Sequence, residues 1–184
     1  MTRKTKITVT VLLIITISIA IGFIYDAIMN VFENKEYPKK HEIAVAAAAK
    51  KYGVPENIIY AVIKTESDFD KNAESDAGAC GLMQLMPETF TDMTGIERPT
   101  KFIMKDVSNN INAGTKYLAY LYERYGNWDT VFAAYNAGLG NVDEWLDDEK
   151  YSSDGITLDS IPFTETRNYV RKVNTAYDAY ERLY

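Results

Sequence analysis

The stretch from Ile58 to Gln84 ends an apolar run on an acid, Glu66, and follows it with a polar loop and the tetrapeptide Gly81-Leu82-Met83-Gln84. Ile59, Val62, Ile63 and Glu66 stand at i, i+3, i+4 and i+7, so on a helix they share one face. A carboxyl group on the buried stripe of a helix is costly to ionise, because a low-dielectric surrounding disfavours the charged form. Its pKa rises, and a carboxylic acid that keeps its proton near neutral pH can serve as a general acid. The competing reading of the same segment is a helix-end glutamate turned into solvent.

The elements that must position this acid read as helices. His41 to Tyr52 is helix-patterned, with Gly53 placed as a C-terminal cap. Pro55 opens the next helix at its first turn, and that helix runs to about Glu66. Further helices are expected from Pro87 to about Met93, Ile111 to Arg124, Trp128 to Tyr135, Val142 to Asp148 and Phe163 to Tyr184. No segment shows sustained two-residue alternation between hairpin turns, so a large sheet is not expected. The fold class is mainly α.

Composition excludes several chemistries. The chain has 184 residues and a formal net charge of −6. Three of its 20 basic residues sit in the opening MTRKTK, so the remainder is more acidic still. Such a surface repels phosphates, and nucleic acid is not an expected partner. Cys80 is the only cysteine, so an intrachain disulfide and a Cys-cluster zinc site are excluded, and with His41 the only histidine a His-based triad or a multi-His metal site is not expected. The acids Asp68, Asp70, Glu74 and Asp76 lack EF-hand spacing and read as a solvated loop. Neither a metal nor a cofactor is expected.

The N-terminus reads as a membrane segment. Arg3, Lys4 and Lys6 precede an apolar run over residues 7–24. Eighteen residues at about 1.5 Å each give roughly 27 Å, close to the hydrocarbon thickness of a bilayer. Positive charge before the run predicts a cytoplasmic tail, 1–6, and an exported domain. The expected organisation is a transmembrane anchor, 7–24, a juxtamembrane linker, 25–40, and a catalytic domain, 41–184. The expected location is the cell membrane, single-pass, with the domain extracytoplasmic. A signal peptide cleaved near Ser18-Ile19-Ala20 is the rival reading.

Four elements stand out along the domain: Glu66-Ser67, Gly81-Leu82-Met83-Gln84 with Pro87 after it, Ala134-Tyr135-Asn136-Ala137-Gly138, and the segment Pro162 to Val170. Together, in this order and on this helical framework, they resemble the lytic transglycosylase family with a lysozyme-like catalytic domain. The resemblance covers residue 41 to the end. It implies cleavage of the β-1,4 bond between N-acetylmuramic acid and N-acetylglucosamine in peptidoglycan, without hydrolysis. The muramyl C6 hydroxyl attacks its own anomeric carbon and leaves a 1,6-anhydro end.

The family's catalytic acid maps onto Glu66, and its substrate positions onto Ser75, Met83, Gln84, Tyr135, Asn136, Glu165 and Tyr169. Glu66 would protonate the glycosidic oxygen and then act as base for the C6 hydroxyl. The substrate's own 2-acetamido group would replace the second carboxylate that most glycosidases use. Gln84 and Asn136 suit sugar hydroxyls and acetamido groups. Tyr135 and Tyr169 offer flat faces to a pyranose, and Met83 a pliable contact for an acetyl methyl.

Plainer roles remain open for several of these residues. Met83 and Tyr169 also fit ordinary packing, Asn136 a helix-end cap, and Glu165 an ion pair with Arg167 or Lys172. Two other functions are also compatible. One is a hydrolytic muramidase whose water-activating carboxylate is Glu165 or an acid of the Asp68–Asp76 loop. The other is a catalytically silent glycan-binding component whose partners are proteins of a wall-spanning machine.

Overall fold

The computed structural model describes residues 3–184, with side chains from residue 13 onward except at positions 26 and 30. Residues 1 and 2 of the expected basic tail lie outside the described residues. Two units are distinguished, an N-terminal one ending at Pro38 and a domain, Lys39–Arg182.

The N-terminal unit is one helix, α1, Arg3–Glu36. Its window Leu13–Glu36 is long and apolar enough to cross a membrane, with a mean hydropathy of 1.9. Within the linker expected over residues 25–40, the chain stays helical as far as Glu36. The physical reason is that residues 25–36 contain neither glycine nor proline, and the first residue unable to continue a helix is Pro38.

Eight helices follow in the domain: α2 Glu42–Tyr52, α3 Glu56–Ser67, α4 Pro87–Thr94, α5 Lys101–Met104, α6 Val107–Tyr125, α7 Trp128–Ala137, α8 Leu139–Leu146 and α9 Thr164–Leu183. Among the described residues, β structure is limited to two isolated antiparallel bridges, Glu74 with Cys80 and Cys80 with Leu85.

Helix α3 is the central element. Every residue from Ile58 to Ile63 is buried, so the helix is enclosed on all sides until its last turn. Burying each of its large aliphatic side chains contributes about 1.5–3 kcal/mol. Pro55 stands just before the first turn, at the N-cap, rather than inside it. The helix ends where Asp68 and Phe69 both take positive φ, and Asp68 N–H closes onto Lys64 O at 3.2 Å.

Helix α6 is the element that α2, α4, α5 and α7 pack against. It begins four residues earlier than the apolar pattern alone predicted. Asp106 caps it, accepting from Asn109 N at 2.9 Å, and this places Asn110 inside the first turn. Helix α5 was not anticipated; Thr100 caps it at its start. Where α6 passes the Gly81–Gln84 loop it carries Gly114, and a Cβ there would overlap the Met83 side chain.

Candidate active site

Glu66 and Ser67 form the last turn of α3, at the point where the buried helix meets the surface. Glu66 is half-buried. Burial pushes its carboxyl up from the usual 4.5 to about 7, while a hydrogen bond from Tyr169 acts in the opposite direction. Tyr169, on α9, donates its hydroxyl to Glu66 Oε1 at 2.7 Å. Burial and the neighbouring Glu66 charge hold the Tyr169 hydroxyl well above the ordinary tyrosine range, so it remains a donor. Among the described residues no other charged group shifts Glu66, so it is perturbed by a dry surrounding and one hydroxyl rather than by a second carboxylate. A carboxyl that titrates near neutrality is suited to giving up a proton and taking one back.

The wall beside Glu66 is the Gly81–Gln84 loop. Cys80 and Leu85 pair across its base, N to O at 3.0 and 3.1 Å, and Gln84 N closes onto Gly81 O at 3.2 Å. Ser67 Oγ donates to Leu82 O at 2.8 Å, and Tyr135 Oη donates to Met83 O at 2.8 Å. The hydroxyl on the residue after the acid and the ring from α7 are thus tied to consecutive carbonyls. The Glu66 charge is among the causes that raise Tyr135, after burial, which sets that ring within the electrostatic reach of the acid.

Behind the loop sits a residue that the sequence reading missed. Asn110 is fully buried. Its Oδ1 accepts from Met83 N at 2.8 Å, and its Nδ2 donates to Cys80 O at 3.0 Å and to Met104 O at 2.8 Å. Both amide hydrogens are used, so the side chain serves as a backbone clamp. Gly81 has φ +82, and a Cβ there would overlap the Asn110 amide. The available signal was a polar residue continuing the stripe of Ile111, Gly114 and Leu118 one turn upstream; starting the helix at Ile111 hid it.

The other expected site residues are placed as follows. Gln84 is half-buried, has φ 45, and its Nε2 donates to Gly81 O at 2.8 Å. Asn136 is half-buried at the end of α7, where Gly138, not Asn136, supplies the cap. Met83 is fully buried, with its side chain against Gly114, beneath the loop. Ser75 is exposed and holds a tight turn, its Oγ accepting from Ala79 N at 3.0 Å. Glu165 is exposed in the first turn of α9. Arg167, its suggested ion partner, donates instead to Ile161 O and Thr164 Oγ1. Glu66, Ser67, Tyr135, Tyr169 and the Gly81–Gln84 loop thus come together, whereas Ser75 and Glu165 make no hydrogen bond to that cluster among the described residues. Of the loop acids, Asp68 pairs with Lys64 at 2.7 Å, and Glu74 pairs with Lys101 and, at 3.1 Å, with Lys105.

Comparison with known proteins gives the same architecture. Residues 43–156 match the Transglycosylase SLT domain family. The soluble lytic murein transglycosylase of Escherichia coli (strain K12) is 41% identical over 140 residues, covering 71% of this chain and 21% of the relative. The Salmonella typhimurium protein of the same name is 39% identical over 138 residues, with 70% and 21% covered. An inactive glutamate-to-glutamine mutant of lytic transglycosylase Slt from Pseudomonas aeruginosa superposes with a TM-score of 0.68 at 33% identity, over 80% of this chain and 25% of that one. A complex of the 70-kDa soluble lytic transglycosylase with bulgecin A superposes with a TM-score of 0.70 at 31% identity, over 82% and 25%. The chain spans about a fifth of the length of the curated relatives it matches. The domain is mainly α and lysozyme-like, and the chain belongs to the transglycosylase SLT domain family.

Proposed function

We propose that this chain is a membrane-anchored lytic transglycosylase that cleaves the β-1,4 bond between N-acetylmuramic acid and N-acetylglucosamine in peptidoglycan. The observation that carries the proposal is the state of Glu66: a carboxyl raised to about 7 by burial, held by one tyrosine, on the surface turn of the central helix. Protonated Glu66 delivers its proton to the glycosidic oxygen as the bond to the anomeric carbon breaks. The acetamido oxygen of the same sugar stabilises the positive centre. The Glu66 carboxylate, now accepting from Tyr169, takes the proton of the C6 hydroxyl as that oxygen closes the 1,6-anhydro ring. Both halves of the reaction use one carboxyl group, and orientation within a single sugar supplies much of the rate.

Gln84, Asn136, Tyr135 and Tyr169 are proposed to line the sugar sites, with Ser75 and Glu165 at the rim and Met83 supporting the loop from beneath. That a glutamate-to-glutamine mutant of a relative is inactive supports the reading. The anchor is proposed to be α1, with Arg3, Lys4 and Lys6 on the cytoplasmic side. The test is product chemistry. Purified peptidoglycan digested by the chain should yield anhydromuramyl ends by mass spectrometry, and Glu66→Gln should yield none. Reducing muramyl ends from the parent would instead make it a hydrolytic muramidase, and no products at all a silent wall-binding protein. Resistance of the full-length chain to alkaline extraction from membranes tests the anchor, and a mature N-terminus beyond Ala20 would refute it.

A further inference from the structure

The Gly81–Gln84 loop holds a conformation that needs support from outside it. Gly81 has φ 82 and Gln84 has φ 45, a region that a residue with a Cβ keeps only where its surroundings impose it. Support from α3 and α7 comes through two hydroxyls, Ser67 Oγ on the Leu82 carbonyl and Tyr135 Oη on the Met83 carbonyl. Support from α6 comes from one residue. Asn110 accepts from Met83 N–H and donates to Cys80 O, and its second amide hydrogen goes to Met104 O, on the last residue of α5. Met83 is thereby fixed through both of its backbone polar groups, the N–H by α6 and the carbonyl by α7. An amide is the group that this place demands, because two carbonyls and an N–H need two donors and one acceptor on a single short side chain. A hydroxyl has one hydrogen, and a carboxylate would set its charge against Cys80 O and Met104 O. Glutamine is one methylene too long where the amide already fills the place of a Gly81 Cβ.

We propose that Asn110 is a positioning residue for the reaction at Glu66: it fixes the Gly81–Gln84 wall against the last turn of α3, and with it the place of the reacting sugar beside the acid. The inference rests on the function proposed above and adds a residue that touches neither sugar nor acid. Asn110 is fully buried, so its influence on the reaction passes through the loop. Freed from Asn110, the Met83 peptide can turn, the carbonyls that Ser67 and Tyr135 hold lose their place, and water gains a path to Glu66. The loop carries no titratable side chain between Gly81 and Gln84, and Cys80 at its base is buried. Among the described residues, the titratable groups in reach of Glu66 are Tyr169 from α9 and Tyr135 from α7, both raised well above the ordinary tyrosine range and therefore neutral. Wetting thus acts on the carboxyl itself and favours its charged form, so the acid gives up its proton at lower pH.

The experiment uses the full chain in detergent and purified peptidoglycan. Asn110→Ala should lower kcat roughly ten- to hundredfold, as a displacement of about 1 Å at a reacting centre does. The alkaline limb of its pH–rate profile should move to lower pH by roughly one pH unit as the carboxyl is rewetted. Leu121→Ala is the control. Leu121 is fully buried three turns further along α6, and its truncation costs stability without freeing the loop. That chain should keep the parent's kcat and limb when both variants are assayed well below their unfolding transitions. Equal losses in the two variants, or a limb that stays in place in Asn110→Ala, overturn the inference. A second arm needs no turnover. The gain in unfolding stability that Glu66→Gln brings at pH 8 over pH 4 reports how dry Glu66 is, and it should be smaller in the Asn110→Ala chain than in the parent. An undiminished gain overturns the inference. A diminished gain where the parent cleaves nothing keeps Asn110 as the residue that sets the surroundings of Glu66 and removes the transglycosylase reading. Where Asn110→Ala does not fold, Asn110→Ser, which is uncharged and keeps one donor, carries both arms with the same expected directions.

Discussion

Replacing Glu66 by glutamine should stabilise the protein, by an amount that grows as pH rises above 4.5 and is complete above about 7. The folded state raises the Glu66 carboxyl from 4.5 to about 7. Below pH 4.5 the group is protonated whether the chain is folded or not, and it exerts no pH-dependent effect. Between 4.5 and 7 the folded state keeps a proton that the unfolded chain gives up, so stability falls as pH rises through that window. Above 7 the whole difference applies, about 3 kcal/mol at about 1.36 kcal/mol per pKa unit. Glutamine has no proton to lose, nearly the same shape, and an oxygen that can still accept from Tyr169. Chemical unfolding of parent and Glu66→Gln at pH 4 and pH 8 measures the difference directly, because all other titrating groups are common to both. The variant should match the parent at pH 4 and exceed it by about 3 kcal/mol at pH 8. A difference independent of pH, or a less stable variant at pH 8, would refute the claim that burial dominates this carboxyl.

Other outcomes follow from the same geometry. The rate of peptidoglycan cleavage should decline as pH rises past about 7, since the protonated acid is the active form; a rate flat across that range counts against Glu66 as the proton donor. Tyr169→Phe removes the bond that favours the ionised carboxylate, so the alkaline limb of the pH–rate profile should move to higher pH; a move downward would contradict the assignment. Asn110→Ala leaves Met83 N, Cys80 O and Met104 O without their partner and should cost about 3 kcal/mol in thermal or urea unfolding. Gly81→Ala meets both a positive φ and the Asn110 amide, and should cost at least about 2 kcal/mol, with a lower yield of folded protein.

The general plan was legible in the sequence for reasons that can be traced to residues. The stripe of Ile59, Val62 and Ile63 leading to Glu66 announced a buried helix ending in an acid, and the structure gives that acid its raised pKa. Glycines at 53 and 126 closed their helices because only a left-handed residue ends α2 and α6 there. What local pattern could not supply was pairing across the chain. Tyr169 lies 103 positions from Glu66, and nothing in either segment alone predicts a 2.7 Å bond between them. The fate of Met83 was undecidable for a similar reason: whether it faces a ligand or the core depends on Gly114, a residue on another helix. The continuation of α1 past residue 24 was obscured by its charges, which a helix tolerates on its exposed faces as readily as a linker does.

One amide and one thioether occupy the volume that side chains at two glycines would need, Asn110 over Gly81 and Met83 over Gly114. Evolution cannot alter these positions singly without a penalty. A descendant that gained an alanine at 81 would have to shrink residue 110 in the same lineage, and would lose the clamp along with the clash. Relatives should therefore vary at these four sites in matched pairs, or not at all.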